Sequence, residues 1–313
     1  MIILGIDTSN YTTSCALYNS ETDEVIQRKK LLPVKPGEKG IRQSDAVFHH
    51  TAQLYPLIEE LMSEAGVKPD AVGVSDRPRD AEGSYMPCFT VGIGAAHCIA
   101  SVLGVPVYGF SHQSGHIMAA LYSAGKTDLK DKEFIAFHLS GGTTEALYVK
   151  PDKERMFTCE ITGKTLDLNC GQVIDRAGVM LGLDFPCGKA LESLALASDK
   201  SFSPKVSMKQ GDCCLSGAEN LCAKMLSDGE KAEDIAAFCI AYIGTAIEKM
   251  AEYAVNRFGN LPLVFAGGVS SDSIIRDKIK SRFSAYFAQP EYSCDNAAGT
   301  AILAFERGKN NGG

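Results

Sequence analysis

His112 and His116 stand four residues apart in Ser111-His-Gln-Ser-Gly-His116, between an apolar run ending at Phe110 and a helical-looking stretch from Ile117. If Ser111 caps a helix start, the two imidazoles project from one face. Such a pair is a bidentate clamp for a transition metal. Imidazole suits Fe, Zn, Ni or Cu, and a third ligand, usually a carboxylate, makes the site tight. Asp295, just ahead of the last helical stretch, is a candidate for that ligand and would leave positions open for a substrate oxygen. The plainer alternatives are two polar residues facing water and an N-cap carboxylate.

Two glycine-rich turns point to other chemistry. Ser140-Gly-Gly142 lies between two strand-like runs, and Ala266-Gly-Gly-Val-Ser270 between a strand and a helix. Both are places where a ligand can approach bare backbone N–H groups, although each alone is equally an ordinary turn. The joint Thr8-Ser-Asn-Tyr-Thr-Thr13 is rich in hydroxyls that can bond backbone or phosphate. Among the 11 cysteines no Cys-x-x-Cys pair occurs, and even adjacent Cys213-Cys214 read as reduced, packed thiols.

At 313 residues the chain can bury a sizeable core and form two lobes. No apolar run approaches the roughly 18 residues of a membrane helix, and the N-terminus enters Ile2-Ile-Leu-Gly-Ile6 without a cationic leader. A cytoplasmic protein with no membrane contact is therefore expected. A net charge of −7 argues against unaided electrostatic capture of nucleic acid. Two basic clusters stand out against it, Arg28-Lys-Lys30 with Lys35, Lys39 and Arg42, and Arg276, Lys278, Lys280 and Arg282.

Periodicity indicates what must position these residues. Residues 2–7, 14–20 and 25–32 read as strands, 33–42 as a Pro/Gly/Lys loop and 44–65 as a helix interrupted by Pro56. A short strand at 69–74, a polar loop at 75–80, a helix at 90–103 and a strand at 105–110 then deliver the histidine pair. After a polar linker at 123–132 the pattern restarts, with strands at 134–139, 146–150 and 156–162. Helices follow at 171–181, 191–197, 218–226 and 232–258, then a strand at 261–266, a helix at 271–283, a strand near Tyr286 and a helix at 297–307. Each half thus opens with strands around a hydroxyl- or glycine-rich turn and then alternates helices with strands. The expected fold is α/β, a duplicated two-lobed architecture of the actin, hexokinase and Hsp70 class with an interlobe cleft. The expected divisions are an N-terminal lobe at 1–125, a nucleotide-binding lobe at 126–295, and a final helix at 296–313 packing back on the first lobe.

In order along nearly the whole chain, these motifs resemble the TsaD type of tRNA threonylcarbamoyladenosine transferase, once called O-sialoglycoprotein endopeptidase. Gly5-Ile-Asp7-Thr-Ser9 resembles the family's Gly-Ile-Glu-Thr-Ser, His112 to His116 its metal-binding His-x-x-x-His, and Ser140-Gly-Gly142 its Ser-Gly-Gly. Gly171 to Asp175 is similar to Gly-Glu-x-x-Asp, Leu181 to Gly188 to Leu-Gly-Leu-x-Tyr-Pro-Gly-Gly, and Cys294-Asp-Asn296 to Thr-Asp-Asn. Ala266-Gly-Gly-Val-Ser270 is the same as the family's motif.

The resemblance implies metal-dependent transfer of a threonylcarbamoyl group from an adenylate to N6 of adenosine in tRNA. It assigns His112, His116 and Asp295 to one transition metal, iron before zinc. It assigns His138, Leu139, Ser140, Gly141, Gly142, Asp175, Gly188, Gly267, Gly268 and Asp272 to ATP or threonylcarbamoyl adenylate, and Asp7, Ser9 and Tyr11 to the catalytic set. Implied partners are an adenine nucleotide and tRNA, engaged with TsaB- or TsaE-like proteins or a second copy of the chain. Some positions depart from the pattern. The family's Cys-Asp-Glu is Asn10-Tyr11-Thr12 here, its Gly-Pro-Gly loop is replaced by Arg77-Pro-Arg-Asp80, and Gln172, Thr143 and Asp272 replace Glu, His and Asn. A paralogue with another acceptor, one entering beside Tyr11, Arg77 and Arg79, and a non-catalytic nucleotide-binding subunit are the alternatives. A peptidase has no support in the sequence, which contains neither His-Glu-x-x-His nor a nucleophile elbow.

Overall fold

The computed structural model describes residues 1–9, 11–33, 41–293 and 297–311, so Asn10, Lys35, Lys39 and Asp295 lie outside the described residues. Two compact units are present, one of Met1–Lys130, Pro151–Thr158 and Glu291–Gly313, the other of Asp131–Lys150 and Cys159–Pro290.

The first unit is built on β1 (Ile2–Asp7), β2 (Thr12–Asn19), β3 (Glu24–Leu31), α1 (Gln43–Ala65), β4 (Ala71–Arg77), α2 (Phe89–Leu103), β5 (Val107–Ser111) and α3 (His112–Ser123). Its sheet runs β3-β2-β1-β4-β5. β1 pairs antiparallel with β2 and parallel with β4, as β4 does with β5. The almost unbroken apolar run of β1 is buried on both faces, as a central strand requires. By contrast β3 carries Arg28, Lys29 and Lys30 on a mostly exposed edge, which discourages further pairing. Leu4, Ile6, Leu17, Val72 and Val74 meet Leu54 and Leu61 of α1 and Ala96 and Ala100 of α2 in one core.

The second unit holds β6 (Phe134–Leu139), β7 (Thr144–Asp152) up to Lys150, β8 (Met156–Lys164) from Cys159 on, α4 (Cys170–Met180), α5 (Gly188–Ala195), β9 (Ser207–Lys209), β10 (Asp212–Cys214), α6 (Ser216–Ser227), α7 (Ala232–Phe258), β11 (Leu263–Ala266), α8 (Ser273–Lys280) and β12 (Ala285–Phe287). Its sheet runs β12-β11-β6-β7-β8, with β6 antiparallel to β7 and parallel to β11. Counting only the strands of each five-stranded sheet, both have the order third, second, first, fourth, fifth, so the repeat in the sequence is a repeat of topology. Phe137, Phe265 and Phe287 stack across three neighbouring strands at centroid spacings of 4.5 and 4.8 Å. The Cys170 and Cys213 thiols are pushed up to about 11 and about 12 by burial, which keeps them protonated and inert.

The last helix, α9 (Ala298–Asn311), packs on the sheet of the first unit and on α3. Glycines make this contact: a β-carbon at Gly5 or Gly73 would strike α9 backbone, and one at Gly299 would strike the Gly115 carbonyl and lie 2.7 Å from Ala119 N.

Several expectations differ from the structure. The strand expected to end at 74 continues to Arg77, where it pairs with Ser111. The helix expected from 271 begins at Ser273, after a 3-10 turn at Gly268–Ser271. The β9/β10 hairpin was not anticipated, because three residues per strand carry no readable alternation. The cluster on α8 is not a free basic patch. Lys278 and Arg282 bind Glu248 at 2.8 and 2.7 Å, and Arg276 donates to the Ser270 and Ala288 carbonyls. No helix among the described residues is long and apolar enough to cross a membrane.

Candidate functional site

In the first unit the histidines sit at the start of α3, and the cap foreseen at Ser111 is made: its Oγ accepts from Ser114 N at 3.2 Å. Asp80 reinforces it, Oδ2 accepting from Ser111 Oγ at 2.7 Å and Ser114 Oγ at 3.2 Å. Arg77 in turn donates to Asp80 Oδ1 from Nε and Nη2, at 3.0 and 2.5 Å, and pairs with Asp76. The loop that was expected to offer Arg77 to an acceptor therefore spends it inward, fixing the helix start. Nothing in the sequence marked Asp80 for that task.

On this base the two rings face one another, Nε2 to Nε2, at 2.9 Å. Two nitrogens roughly 2.0–2.1 Å from a common ion and about 90° apart have about that separation, so the pair fits a metal as two adjacent ligands. His112 Nδ1 lies 2.8 Å from Asp7 Oδ2, and Ser9 Oγ is 3.5 Å from His112 Nε2. The other Asp7 oxygen accepts from Ser9 N at 2.8 Å. Asp7, Ser9 and His116 are buried. Tyr11 does not join these contacts: it is 42% exposed, tethered through its carbonyl to Leu32 N. Thr8 spends its hydroxyl on the Cys88 carbonyl and Gly92 N, the backbone option of the two open to it. Among the described residues no group of three His, Cys, Asp or Glu is disposed to hold a metal, and Asp295 is not one of those residues.

In the second unit three backbone segments converge. A β-carbon on Gly171, in the first turn of α4, would lie 2.6 Å from Gly141 N, and one on Gly267 would strike the Leu139 carbonyl. Gly267 also has φ of 96°, a conformation that only glycine adopts cheaply. The Ser140 turn is clipped to α4 by Gly171 N donating to the Ser140 carbonyl at 3.2 Å, and Thr144 Oγ1 accepts from Cys170 N at 2.9 Å. His138, one step before Leu139, pairs with Ala266 and Glu145. Gly141, Gly142, Gly188 and Gly268, by contrast, look onto open space.

Asp175 lies one turn along α4 from Gly171, and its Oδ1 accepts from Cys187 N at 2.9 Å, tying α4 to the start of α5 beside Gly188. It lines a cavity of about 500 Å³ with Gln172, Arg176, Val179, Met180, Phe185 and Glu219. Apolar Val179, Met180 and Phe185 beside polar Gln172, Asp175, Arg176 and Glu219 suit a flat heterocycle with polar substituents. In the sequence Met180 reads as ordinary helix periodicity, and Phe185 stands only within the Leu181 to Gly188 motif.

Asp272 caps α8, accepting from Ile275 N at 3.0 Å. Burial pushes its carboxyl up to about 6, and the Glu192 charge adds to the effect. The folded state thus holds this proton more tightly than the unfolded chain does. Its contribution to stability is fully present below the usual carboxylate range near 4 and is lost as pH rises to about 6. Asp272→Asn keeps a capping oxygen and removes the buried charge. At pH 7 it is expected to raise stability by about 1–3 kcal/mol and to flatten the dependence between those pH values. Urea unfolding at pH 4.5 and pH 7 checks this, and a variant less stable than the parent at pH 7 contradicts it.

Comparison with known proteins shows the family and the fold. The family described as TsaD, tRNA N6-adenosine threonylcarbamoyltransferase, matches residues 23–302. A protein of that description from Caldivirga maquilingensis is 28% identical, over 98% of this chain and 91% of its own. One from Methanopyrus kandleri is 27% identical, over 98% and 89%. Among solved structures, a ROK family glucokinase from Streptomyces griseus in complex with glucose and AMPPNP superposes with a TM-score of 0.52 at 12% identity, covering 98% of this chain and 100% of its own. That likeness shows the fold, the duplicated α/β architecture of the actin, hexokinase and Hsp70 class. With its matched motifs spread over both units, the chain belongs to the TsaD family of tRNA N6-adenosine threonylcarbamoyltransferases.

Proposed function

We propose that this chain transfers a threonylcarbamoyl group from threonylcarbamoyl adenylate to N6 of adenosine in tRNA. The observation that carries the reading is the histidine pair, Nε2 to Nε2 at 2.9 Å, in a chain of this family. A nucleotide-binding scaffold or a sugar kinase needs no such pair. His112, His116 and Asp295 would hold one transition metal, iron or zinc, which when bound polarises a carbonyl or phosphoryl oxygen. Asp295 would join from the segment before α9.

The remaining work falls to the chain itself. Backbone N–H groups of the Ser140 and Gly267 turns would approach phosphates and base, and the Asp175 carboxylate would accept ribose hydroxyls at the edge of the cavity. Asp175→Asn keeps an acceptor for Cys187 N but loses the charge. It is expected to weaken adenylate binding by roughly 1.5 kcal/mol, about tenfold, and unchanged calorimetric affinity would contradict the pose.

Because the chain is acidic, phosphate neutralisation would have to come from partners, TsaB- or TsaE-like proteins or a second copy. The test supplies threonylcarbamoyl adenylate and unmodified tRNA, with and without such partners, and measures modified adenosine by nucleoside mass spectrometry. A second reading, transfer to another acceptor, draws on exposed Tyr11, which stands where the family carries acidic residues and offers a stacking face. Turnover by the isolated chain excludes it. No turnover in any combination, with the adenylate still bound, favours it.

A further inference from the structure

We propose that Asp7 is the positioning residue of the histidine pair: it holds the His112 ring by Nδ1 and so makes Nε2 the nitrogen presented to a ligand. Asp7 is the last residue of β1, and its carboxylate is buried at 1% exposure. One oxygen is spent on Ser9 N at 2.8 Å, which fixes the carboxylate's orientation. The other lies 2.8 Å from His112 Nδ1. An ionised carboxylate only accepts, whereas a neutral imidazole carries a single N–H, so the bond requires the proton on Nδ1. The lone pair is then on Nε2, the atom aimed at His116 Nε2.

The same contact locks the ring's rotation, and a carboxylate behind an imidazole also makes its far nitrogen a better donor. The two Asp7 oxygens are directed at Ser9 N and His112 Nδ1. The place of Asp7 in the opening motif is explained by what it does to His112. Asp80 performs a separate task on the same helix, fixing the backbone start through Ser111 and Ser114, while Asp7 fixes the ring.

The affinity arm of the test rests on the metal reading above, whereas the tautomer arm does not. Full-length protein labelled with ¹⁵N at histidine, stripped with chelator, is examined by two-bond ¹H–¹⁵N correlation, with His112→Ala assigning the His112 signals. The wild type is expected to show His112 as the Nδ1–H tautomer, and Asp7→Asn to lose that fixed form. Titrated with Zn²⁺, Asp7→Asn is expected to bind about 10–100-fold more weakly. Asp7→Glu, which keeps a carboxylate on a longer arm, should recover most of the loss. Thermal unfolding of each variant monitors the fold.

Nε2–H as the dominant form in the wild type overturns the proposal, as does a folded Asp7→Asn with wild-type zinc affinity. The wild-type spectrum decides alone if Asp7→Asn does not fold. A fixed Nδ1–H form in a wild type that binds no zinc supports the role of Asp7 and removes the metal reading instead.

Discussion

Changing His112 and His116 together to alanine is expected to leave purified protein without bound transition metal. Each ring presents one nitrogen to the point where their Nε2 atoms converge, and the convergence comes from neighbouring turns of one helix rather than from mobile loops. On the ligand set proposed above, losing one ring would leave at most a two-ligand remnant, and losing both would leave a lone carboxylate. Alanine sustains the helix, and the Ser111 cap with its Asp80 support is untouched, so α3 is expected to form in the variant. Removing the imidazole from Asp7 costs stability, on the order of 1–3 kcal/mol, visible as a lower melting temperature without loss of cooperativity. Elemental analysis after dialysis against a weak chelator reads metal per chain. Full occupancy in the double variant would overturn the assignment.

The second large effect concerns stability. Gly299→Val places a branched side chain where the carbonyl of Gly115 and the amide of Ala119 already stand. Backbone cannot rotate away as a side chain can, so α9 must lift from α3 or shift along it, at a cost of about 3 kcal/mol or more. For a unit of this size that lowers the melting temperature by roughly 6–12 °C. Gly115 lies between the two histidines, so zinc affinity is expected to fall as well. Gly94→Ala is the control: nothing lies within 4 Å of its would-be β-carbon, and in mid-helix it should gain a few tenths to 1 kcal/mol. Equal melting temperatures for Gly299→Val and wild type would mean that the two helices do not touch as described.

How legible the fold was depended on the length and regularity of each signal. The long α1 and α7 and the apolar β1 and β6 announce themselves by periodicity, and the repetition of their order pointed to a duplicated architecture. The short β9 and β10 had no room for a pattern, and the true start of α8 depended on Asp272 capping it through Ile275 N, a detail of geometry. At the histidine pair the sequence showed spacing and a cap, because both are local along one helix. It could not show that Asp7, on a strand 105 residues earlier, stands behind one of the rings, or that Arg77 is turned onto Asp80. Charge alone made Arg77 and the α8 cluster look available to a ligand. Their nearest carboxylates and carbonyls, placed by the fold, claim several of them first.

The seating of α9 has a consequence for biosynthesis. Gly5 and Gly73 are shaped to receive a helix that emerges from the ribosome more than 200 residues later, after the whole of the second unit. At about 5–20 residues per second that delay is on the order of ten seconds to a minute. During it the face of the first sheet that α9 covers lacks its native partner, while the second unit's two segments follow closely enough to fold together as they are made. The first unit is therefore completed last, when the helix that carries Gly299 arrives.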